Sequence, residues 1–395
     1  MQHNTTTIRK HKNSAIYAML LIGFVYTIHD ALPVYINSSF LGLFTTTQTI
    51  GLIYTVGSLF TILGLLVIGR VIERFGNYRT VCTLIIVQMV LMFGLMTSSW
   101  LPIIIICFVL SMGLLALIGI NLDIFLQKYS DTNHTGGIRG LYLTAINTAW
   151  VLSPLIAGAL IFGTQYRLVY VASFVTLFLL LYLIEKNFYH FKDAKYGHFP
   201  LEETLRYIFR KKDYRKLFSA NIILNVFYSW MVIYSPIYLH ETLGFGWDQI
   251  GIILTIMLLP FVIFELPVGK LADAGWGEKR IMTGGFILIA ISTAALAFIT
   301  SKSVFVWAIA LFITRIGAAI AESMIEIYFF KKAKPEDADV LGMFRITRPI
   351  SYIIAPAITA LGLLVMNDYK YIFIVLGVLV LFAIRYTTTL TDIVE

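Results

Sequence analysis

The sequence predicts an all-α membrane protein with twelve transmembrane helices in two pseudo-symmetric six-helix bundles. Three observations lead to this prediction: the chain holds twelve long apolar runs, basic residues concentrate in alternate loops, and the second half repeats short motifs of the first in the same order. Apolar residues make up 58% of the chain and charged residues 13%, whereas about a quarter of an ordinary soluble domain is charged.

Each apolar run is long enough to cross a bilayer, which takes roughly 20 helical residues. In hydrocarbon a segment must satisfy its own backbone groups, and the runs lack the period-two alternation of barrel strands, so we predict helices. The predicted spans are 14–40, 47–69, 79–98, 101–127, 138–163, 167–185, 216–240, 249–270, 280–300, 303–330, 341–366 and 369–389.

The distribution of basic residues predicts the orientation of the chain. With the N-terminus inside, the outer loops carry only Arg167, Lys302 and Lys370. The other loop cations lie inside, as the positive-inside rule requires, so both termini are expected in the cytoplasm. The net charge of +8 is therefore assigned to the membrane surface and not to a nucleic-acid partner. We expect a multi-pass monomer in the plasma or inner cell membrane, with the lipid bilayer as its partner.

The longest inner loop divides the chain. It predicts a first bundle over 1–185, a cytoplasmic linker over 186–215 and a second bundle over 216–395. Within the linker, the segment PLEETLRYIFRKKDYRKL places apolar residues on one side of a helix with basic residues around them. This pattern is typical of an amphipathic helix lying on the inner leaflet; a solvated linker helix is the alternative.

Short motifs recur at a shift of about two hundred residues. The segment PVYI after Leu32 corresponds to PIYL after Ser235, TIGLIYT corresponds to QIGIILT, and NLDIFLQK corresponds to MIEIYFFKK. Their common order indicates that one six-helix unit is duplicated. Asp123 and Glu326 are thus equivalent acids near the inner ends of spans four and ten.

Two inner loops, GRVIERFGNYR and GKLADAGWGEKR, resemble the signature loop of the major facilitator superfamily, roughly G-x-x-x-D-R-x-G-x-x-R/K. Glutamate replaces the usual aspartate in the first copy. The second copy has one extra residue and no arginine after its acid. The first copy is filled by Gly69, Glu73, Arg74, Gly76 and Arg79, and the second by Gly269, Asp273 and Gly277.

The resemblance implies two bundles related by an axis along the membrane normal, with a substrate cavity between them. It also implies that the two loops form a cytoplasmic gate, to which we add Asp123. An acid beside a helix N-terminus is favoured by the helix dipole, and such a contact can break when bundles rock. The alternative is a short basic loop with an incidental acid.

Span five has a second resemblance, to the G-x-x-x-G-P-x-x-G-G motif of drug:proton antiporters in this superfamily. The corresponding residues are Ala149, Ser153, Pro154, Ala157 and Gly158, so the proline and small residues are kept but three glycines are lost. The resemblance implies export of drug-like compounds in exchange for protons. Generic packing of small residues is the alternative.

Ionisable residues inside predicted spans are candidates for proton coupling, because charge in hydrocarbon is costly. Asp30 lies in span one beside His29. Hydrocarbon disfavours the charged form of a carboxyl, so Asp30 is expected to take up a proton near neutral pH, and His29 could share that proton or merely satisfy it.

The second half holds the remaining candidates. Span ten carries Arg315, Glu322 and Glu326 on one stripe, and span eleven carries Arg345 and Arg348 near its cytoplasmic end. We expect the acids of span ten to pair with the arginines of span eleven. These groups either couple protons or simply lock the two helices together.

Polar and aromatic residues in several spans predict a mixed cavity for an amphipathic or aromatic organic solute. Each of them taken singly also fits ordinary packing or an interfacial aromatic belt. The candidates are Tyr26, Asn147, Trp150, Asn225, Tyr228, Trp230 and Tyr352.

The function expected from these patterns is secondary active transport by alternating access, namely proton-coupled efflux of small amphipathic organic compounds. One alternative is an importer or uniporter of a sugar, metabolite or lipid. Another is a non-transporting sensor or scaffold on a transporter fold. No pattern of an enzyme, cofactor site or metal site is recognised in the sequence.

Overall fold

A computed structural model describes residues 2–129, 135–163, 165–191, 201–272, 276–332, 338–365 and 369–391. None of these residues forms a β-strand. The first half contains α1 (Gln2–Val34), α2 (Asn37–Gly42), α3 (Thr47–Phe75), α4 (Asn77–Thr97), α5 (Leu101–Tyr129), α6 (Thr135–Leu160) and α7 (Arg167–Phe188). The second half contains α8 (Leu201–Arg210), α9 (Lys212–Ile233), α10 (Ser235–Ile237), α11 (Trp247–Ile263), α12 (Glu265–Leu271), α13 (Glu278–Leu296), α14 (Val304–Lys332), α15 (Ala338–Val365) and α16 (Ile372–Thr387).

The helices confirm the predicted fold class. Each of the twelve predicted spans contains a helix, and among the described residues ten helical segments are long and apolar enough to cross a membrane. The other two spans correspond to α15 and to the shorter apolar helix α16. Backbone hydrogen bonding within each segment, which hydrocarbon requires, therefore accounts for the architecture.

Two predicted spans are broken just before a proline. The break between α9 and α10 precedes Pro236, and the break between α11 and α12 precedes Pro267. Proline has no N–H to donate and its ring clashes with the carbonyl four residues earlier, so a continuous helix is disfavoured at both places. After α10 the chain continues as a π-helical turn over Tyr238–Thr242.

Contacts group the chain into two compact units. The first comprises Met1–Ile36 and Phe60–His198, and the second comprises Asn37–Leu59 and Phe199–Glu395. In the first unit, α1 packs on α6 and α7, and α4 packs on α5 and α7. In the second unit, α13 packs on α14 and α16, and α9 packs on α15 and α16. The first part of α3 falls in the second unit, where Tyr54 stacks on Tyr352 with ring centroids 5.6 Å apart.

Glycines permit the close approach of helices in the second unit. A Cβ added at Gly317 on α14 would lie 2.7 Å from the carbonyl oxygen of Gly285 on α13. A Cβ at Gly377 on α16 would lie 2.7 Å from the carbonyl oxygen of Ala290. The contacting atoms belong to backbone, which cannot move aside as a flexible side chain can, so these positions require glycine.

We expect Gly317→Ala to destabilise the protein by about 1–3 kcal/mol, the usual cost of overpacking a tight contact. Thermal unfolding of the purified protein measures this. The matched control is Gly284→Ala on α13, where an added Cβ meets no atom within 4 Å among the described residues. Equal melting temperatures for the two variants would show that the α13–α14 contact is looser than described.

Candidate functional site

A polar face on α9 begins the site. Asn221, Asn225 and Tyr228 follow one another at intervals of four and three residues, so they share one side of the helix. All three side chains are half-buried, whereas Phe227 and Trp230 beside them are buried. The helix therefore presents amide and phenol groups along an otherwise apolar segment.

Hydrogen bonds join this face to α15. The Nδ2 atoms of Asn221 and Asn225 lie 3.0 and 3.3 Å from Oγ1 of Thr347, to which both donate. One helical turn further along α9, Ser229 Oγ and Ser351 Oγ are 2.5 Å apart. These bonds hold α9 and α15 in register, and they leave the amide groups of the two asparagines at the edge of the packing.

Tyr228 connects the same face to α14. Its hydroxyl donates to Oε2 of Glu322 at 2.7 Å. Glu322 is half-buried, and it lies within electrostatic range of the exposed Arg348 and of the buried Arg315. One carboxylate oxygen is thus held by a phenol and the group is close to two cations, so a change in its charge alters the interaction between three helices.

Arg315 is buried in an unusual manner. Its side chain is 1% exposed, and its guanidinium carbon lies 4.9 Å from the ring centroid of Phe227 and 5.3 Å from that of Tyr228. Among the described residues, its Nε and Nη1 atoms have no hydrogen-bond partner. Aromatic faces supply part of the missing stabilisation, about 0.5–2 kcal/mol, but two buried donors remain unsatisfied.

The sequence predicts that the acids of α14 pair with the arginines of α15. Glu322 and Arg348 lie within electrostatic range of each other. Glu326 and Arg345 both have exposed side chains. The role of each of these residues in proton coupling stays a prediction.

The first unit holds a separate buried polar cluster, which we call the His29 cluster: His29, Gln88, Ser111 and Ser173. His29 Nδ1 lies 3.0 Å from the carbonyl oxygen of Ser173, and Nε2 lies 3.1 Å from Nε2 of Gln88. Gln88 Nε2 also donates to Ser111 Oγ at 2.8 Å. The four side chains are at most 4% exposed, so their polar groups depend on one another for hydrogen bonds.

The orientation of the Gln88 amide implies one tautomer of His29. In this orientation of the Gln88 amide its nitrogen donates, so Nε2 of His29 accepts and the proton lies on Nδ1, which donates to Ser173. Both ring nitrogens are thereby engaged. A proton shared with Asp30, the half-buried neighbour in α1, requires one of these bonds to break. The sequence analysis did not select Gln88, although a glutamine within an apolar span indicates a buried polar contact.

We expect Gln88→Leu to destabilise the protein by about 1–3 kcal/mol, because it leaves buried partners on His29 and Ser111 unsatisfied. The control is Gln165→Leu, which changes an exposed glutamine of the same unit. Thermal unfolding of both variants is the measurement. A Gln88 variant as stable as its control would contradict a stabilising role for the hydrogen bonds of the His29 cluster.

The substrate-cavity candidates of the first unit are Tyr26, Asn147 and Trp150. Tyr26 donates its hydroxyl to the carbonyl oxygen of Leu115 at 2.5 Å. Asn147 and Trp150, on α6, are half-buried. Contact of these residues with a solute stays a prediction.

The two remaining candidates of the second unit are mostly covered by protein. Trp230 is 1% exposed and donates to Thr359 Oγ1 at 3.0 Å, within the packing of the unit. Tyr352 is 8% exposed and stacks on Tyr54. Their contact with a solute likewise stays a prediction.

The two signature loops share a backbone feature. Gly76 (φ 83°) and Gly277 (φ 79°) each directly precede a helix, α4 and α13. A positive φ of this size favours glycine, so both matched glycines have the same conformational role.

The other residues of the predicted gate differ in exposure, and Asp273 lies outside the described residues. A Cβ at Gly69 meets nothing within 4 Å among the residues that the structure describes. The action of these loops as a gate stays a prediction. Glu73, Arg74 and Arg79 are exposed, whereas Gly269 and Asp123 are half-buried.

An ion pair that the sequence reasoning missed lies beside the second loop. Lys331 Nζ, from the segment MIEIYFFKK, is 2.7 Å from Oε1 of Glu278, and the Glu278 side chain is 7% exposed. Glu278 directly follows the positive-φ Gly277 and begins α13, where a carboxylate is favoured by the helix dipole. The pair joins the end of α14 to the start of α13.

The long apolar helices of the described residues define a polytopic membrane protein. The chain belongs to the Major Facilitator Superfamily, whose sequence model matches residues 14–248 and 218–390. No curated protein sequence matches the chain.

Among solved structures, the chain is similar to the nucleoside transporter NupG, with a TM-score of 0.77 and 11% sequence identity, covering 95% of this chain and 100% of that one. It is also similar to the structure of a mutant of NupG, with a TM-score of 0.76, 11% identity and coverage of 95% and 99%. At this identity the likeness establishes the fold alone.

Proposed function

We propose that the protein is a proton-coupled secondary transporter of a small organic solute, and that Glu322 is its principal coupling residue. The observation that carries the proposal is a half-buried carboxylate inside a membrane helix, held by the Tyr228 hydroxyl 2.7 Å away and within range of Arg315 and Arg348. An ionisable group at this depth costs free energy, and such groups in membrane helices typically mark functional sites.

The chemistry of the coupling follows from the bonds of Glu322. As a carboxylate it accepts from Tyr228 and attracts both arginines. Protonation removes the attraction to the arginines and weakens the bond to the phenol, because an uncharged acceptor binds a donor about half as strongly. A solute that donates hydrogen bonds competes for the same carboxylate. Proton and solute therefore exclude each other, which is the basis of exchange.

The amides of Asn221 and Asn225 and the phenol of Tyr228 suit a solute with several hydrogen-bonding groups and an aromatic or apolar part. Efflux of amphipathic compounds, as expected from span five, is our first proposal for the direction. Import is the second candidate, which the polar character of the α9 face favours. Nucleosides, named for the structurally similar NupG, have this mixed chemistry and are included in the test.

Flux measurements in proteoliposomes test the proposal. Purified protein is assayed with nucleosides, sugars and amphipathic amines, with a pH gradient imposed in either direction and with counterflow at equal pH. We expect one class to move, with a rate that depends on the gradient and with a sign that gives the direction. Counterflow at equal pH, together with a flux that does not depend on the pH gradient, would indicate a uniporter. Absence of flux for every class in protein that binds solute would favour a sensor.

A further inference from the structure

The start of α9 and the helix before it present an exposed basic surface that lies outside the proposed transport site. It is formed by Arg206, Phe209, Arg210, Lys212 and Arg215, which we call the linker patch. Each of these side chains is exposed, and Phe209 is 55% exposed. The acids of α8 lie in its first turn, so positive charge is concentrated from Arg206 onwards.

Packing determines which face of α8 is exposed. Ile208 is 0% exposed, and α8 contacts α9 and α15. Lys211 donates to the hydroxyl of Tyr207, and its Nζ lies 4.3 Å from the Tyr207 ring centroid. Ile208 points inward. Phe209 and Arg210 follow Arg206 by three and four residues, so these three side chains share the outward side of α8.

The acid nearest to the linker patch along α9 is engaged by the segment that follows α16. Asp213 accepts from the hydroxyl of Thr391, and its Oδ1 lies 3.4 Å from the Thr391 backbone nitrogen. Lys216 donates to the carbonyl oxygen of Thr389. The segment after α16 thus covers the side of α9 that carries Asp213 and Lys216, and the cations of the linker patch stay on the exposed side.

The position of the linker patch along the chain indicates its partner. The candidate membrane segment that contains α9 begins at Lys212, so the patch lies where a membrane helix leaves the bilayer. The Phe209 ring is about half exposed and lies between Arg206 and Arg210 in the sequence. An aromatic ring at this end of a membrane helix is suited to the boundary between lipid headgroups and acyl chains. Clusters of cations next to a membrane helix attract anionic headgroups.

We propose that the linker patch binds the headgroup of an anionic phospholipid in the leaflet at the start of α9. The cations contact the phosphate and the Phe209 ring enters the acyl boundary. Binding there holds α8 against α9 and α15, the two helices that carry Asn221, Asn225 and Thr347. Anionic lipid is therefore expected to stabilise the second unit.

The test compares lipids on the full-length protein. We expect phosphatidylglycerol in phosphatidylcholine vesicles to raise the melting temperature, and to be retained in preference to phosphatidylcholine in native mass spectrometry. The triple variant Arg210→Gln, Lys212→Gln, Arg215→Gln is expected to lose this preference by about tenfold or more. Phe209→Ser is expected to weaken retention of both lipids, because it removes apolar contact and keeps the charge.

The matched control removes the same charge elsewhere, through Lys186→Gln, Arg280→Gln and Arg385→Gln at exposed positions. It is expected to keep the lipid preference. An equal loss in the control would mean that net charge and not the linker patch selects the lipid. Inorganic phosphate or a soluble phosphopeptide that reproduced the stabilisation would also overturn the proposal. All the variants change exposed residues, and circular dichroism of each variant is the check that it is folded.

Discussion

Glu322→Gln is expected to abolish transport driven by a pH gradient while solute exchange at equal pH continues. Glutamine keeps the shape of the side chain and can still accept from Tyr228, but it cannot release a proton. A hydrogen bond to a charged acceptor contributes about 1.5–3 kcal/mol. Loss of that charge should therefore change solute affinity by roughly ten- to a hundredfold. Proteoliposome uptake with and without a pH gradient separates the two effects.

Three further variants make the result specific. Tyr228→Phe removes the donor at 2.7 Å and keeps the carboxyl, so it should shift the pH dependence without uncoupling transport. Glu185→Gln, an exposed acid at the end of α7, is the control for charge loss. Asp30→Asn distinguishes the two candidate carboxyls: if it uncouples transport and Glu322→Gln does not, the coupling site lies in the first unit.

Arg315→Met is expected to stop coupled transport without lowering the melting temperature. The guanidinium belongs to a side chain that is 1% exposed, and two of its donors lack hydrogen-bond partners among the described residues, so burying it costs free energy. Replacing a buried ion pair by apolar side chains of similar volume is often neutral or stabilising, by about 1–4 kcal/mol, and Glu322 keeps Arg348 within electrostatic range when Arg315 is replaced. A residue that is expensive for stability is retained when function needs it.

Stability and transport are measured on the same preparations. Thermal unfolding of Arg315→Met, with the exposed Arg385→Met as control, shows whether the buried charge is a structural lock. A large fall in melting temperature would identify Arg315 as a structural residue. The double variant Arg315→Met, Glu322→Gln should lose no more coupling than either single variant, because residues that act together are not additive.

The helices of the fold were predictable in detail because hydrocarbon imposes a local rule. Any segment that crosses the bilayer must be apolar and must satisfy its own backbone, so span and helix coincide along the sequence. The match between Gly76 and Gly277 was also predictable, since a repeated loop needs the same backbone conformation at both. The breaks before Pro236 and Pro267 were missed, although the steric rule for proline is equally local.

The partners of the polar side chains were less accessible to prediction. Sequence analysis paired the acids of span ten with the arginines of span eleven, whereas Glu322 also accepts a hydrogen bond from Tyr228, 94 positions earlier. It considered a proton shared between His29 and Asp30, and it did not find Gln88, 59 positions later, which contacts the His29 ring. Neighbours in sequence on a helix point in different directions, so adjacency there is a poor guide to contact.

The sequence by itself determined that this chain is a helical membrane protein, which runs are helices, the orientation we expect for them, and the superfamily whose loops it repeats. These properties depend on composition and on short segments, which the surrounding solvent acts on directly. Only the tertiary structure decided that Tyr228 holds Glu322, that Arg315 lies buried against Phe227, and that His29 is engaged on both nitrogens. Those contacts join helices far apart in the chain, and their geometry is set by packing, which local patterns do not encode.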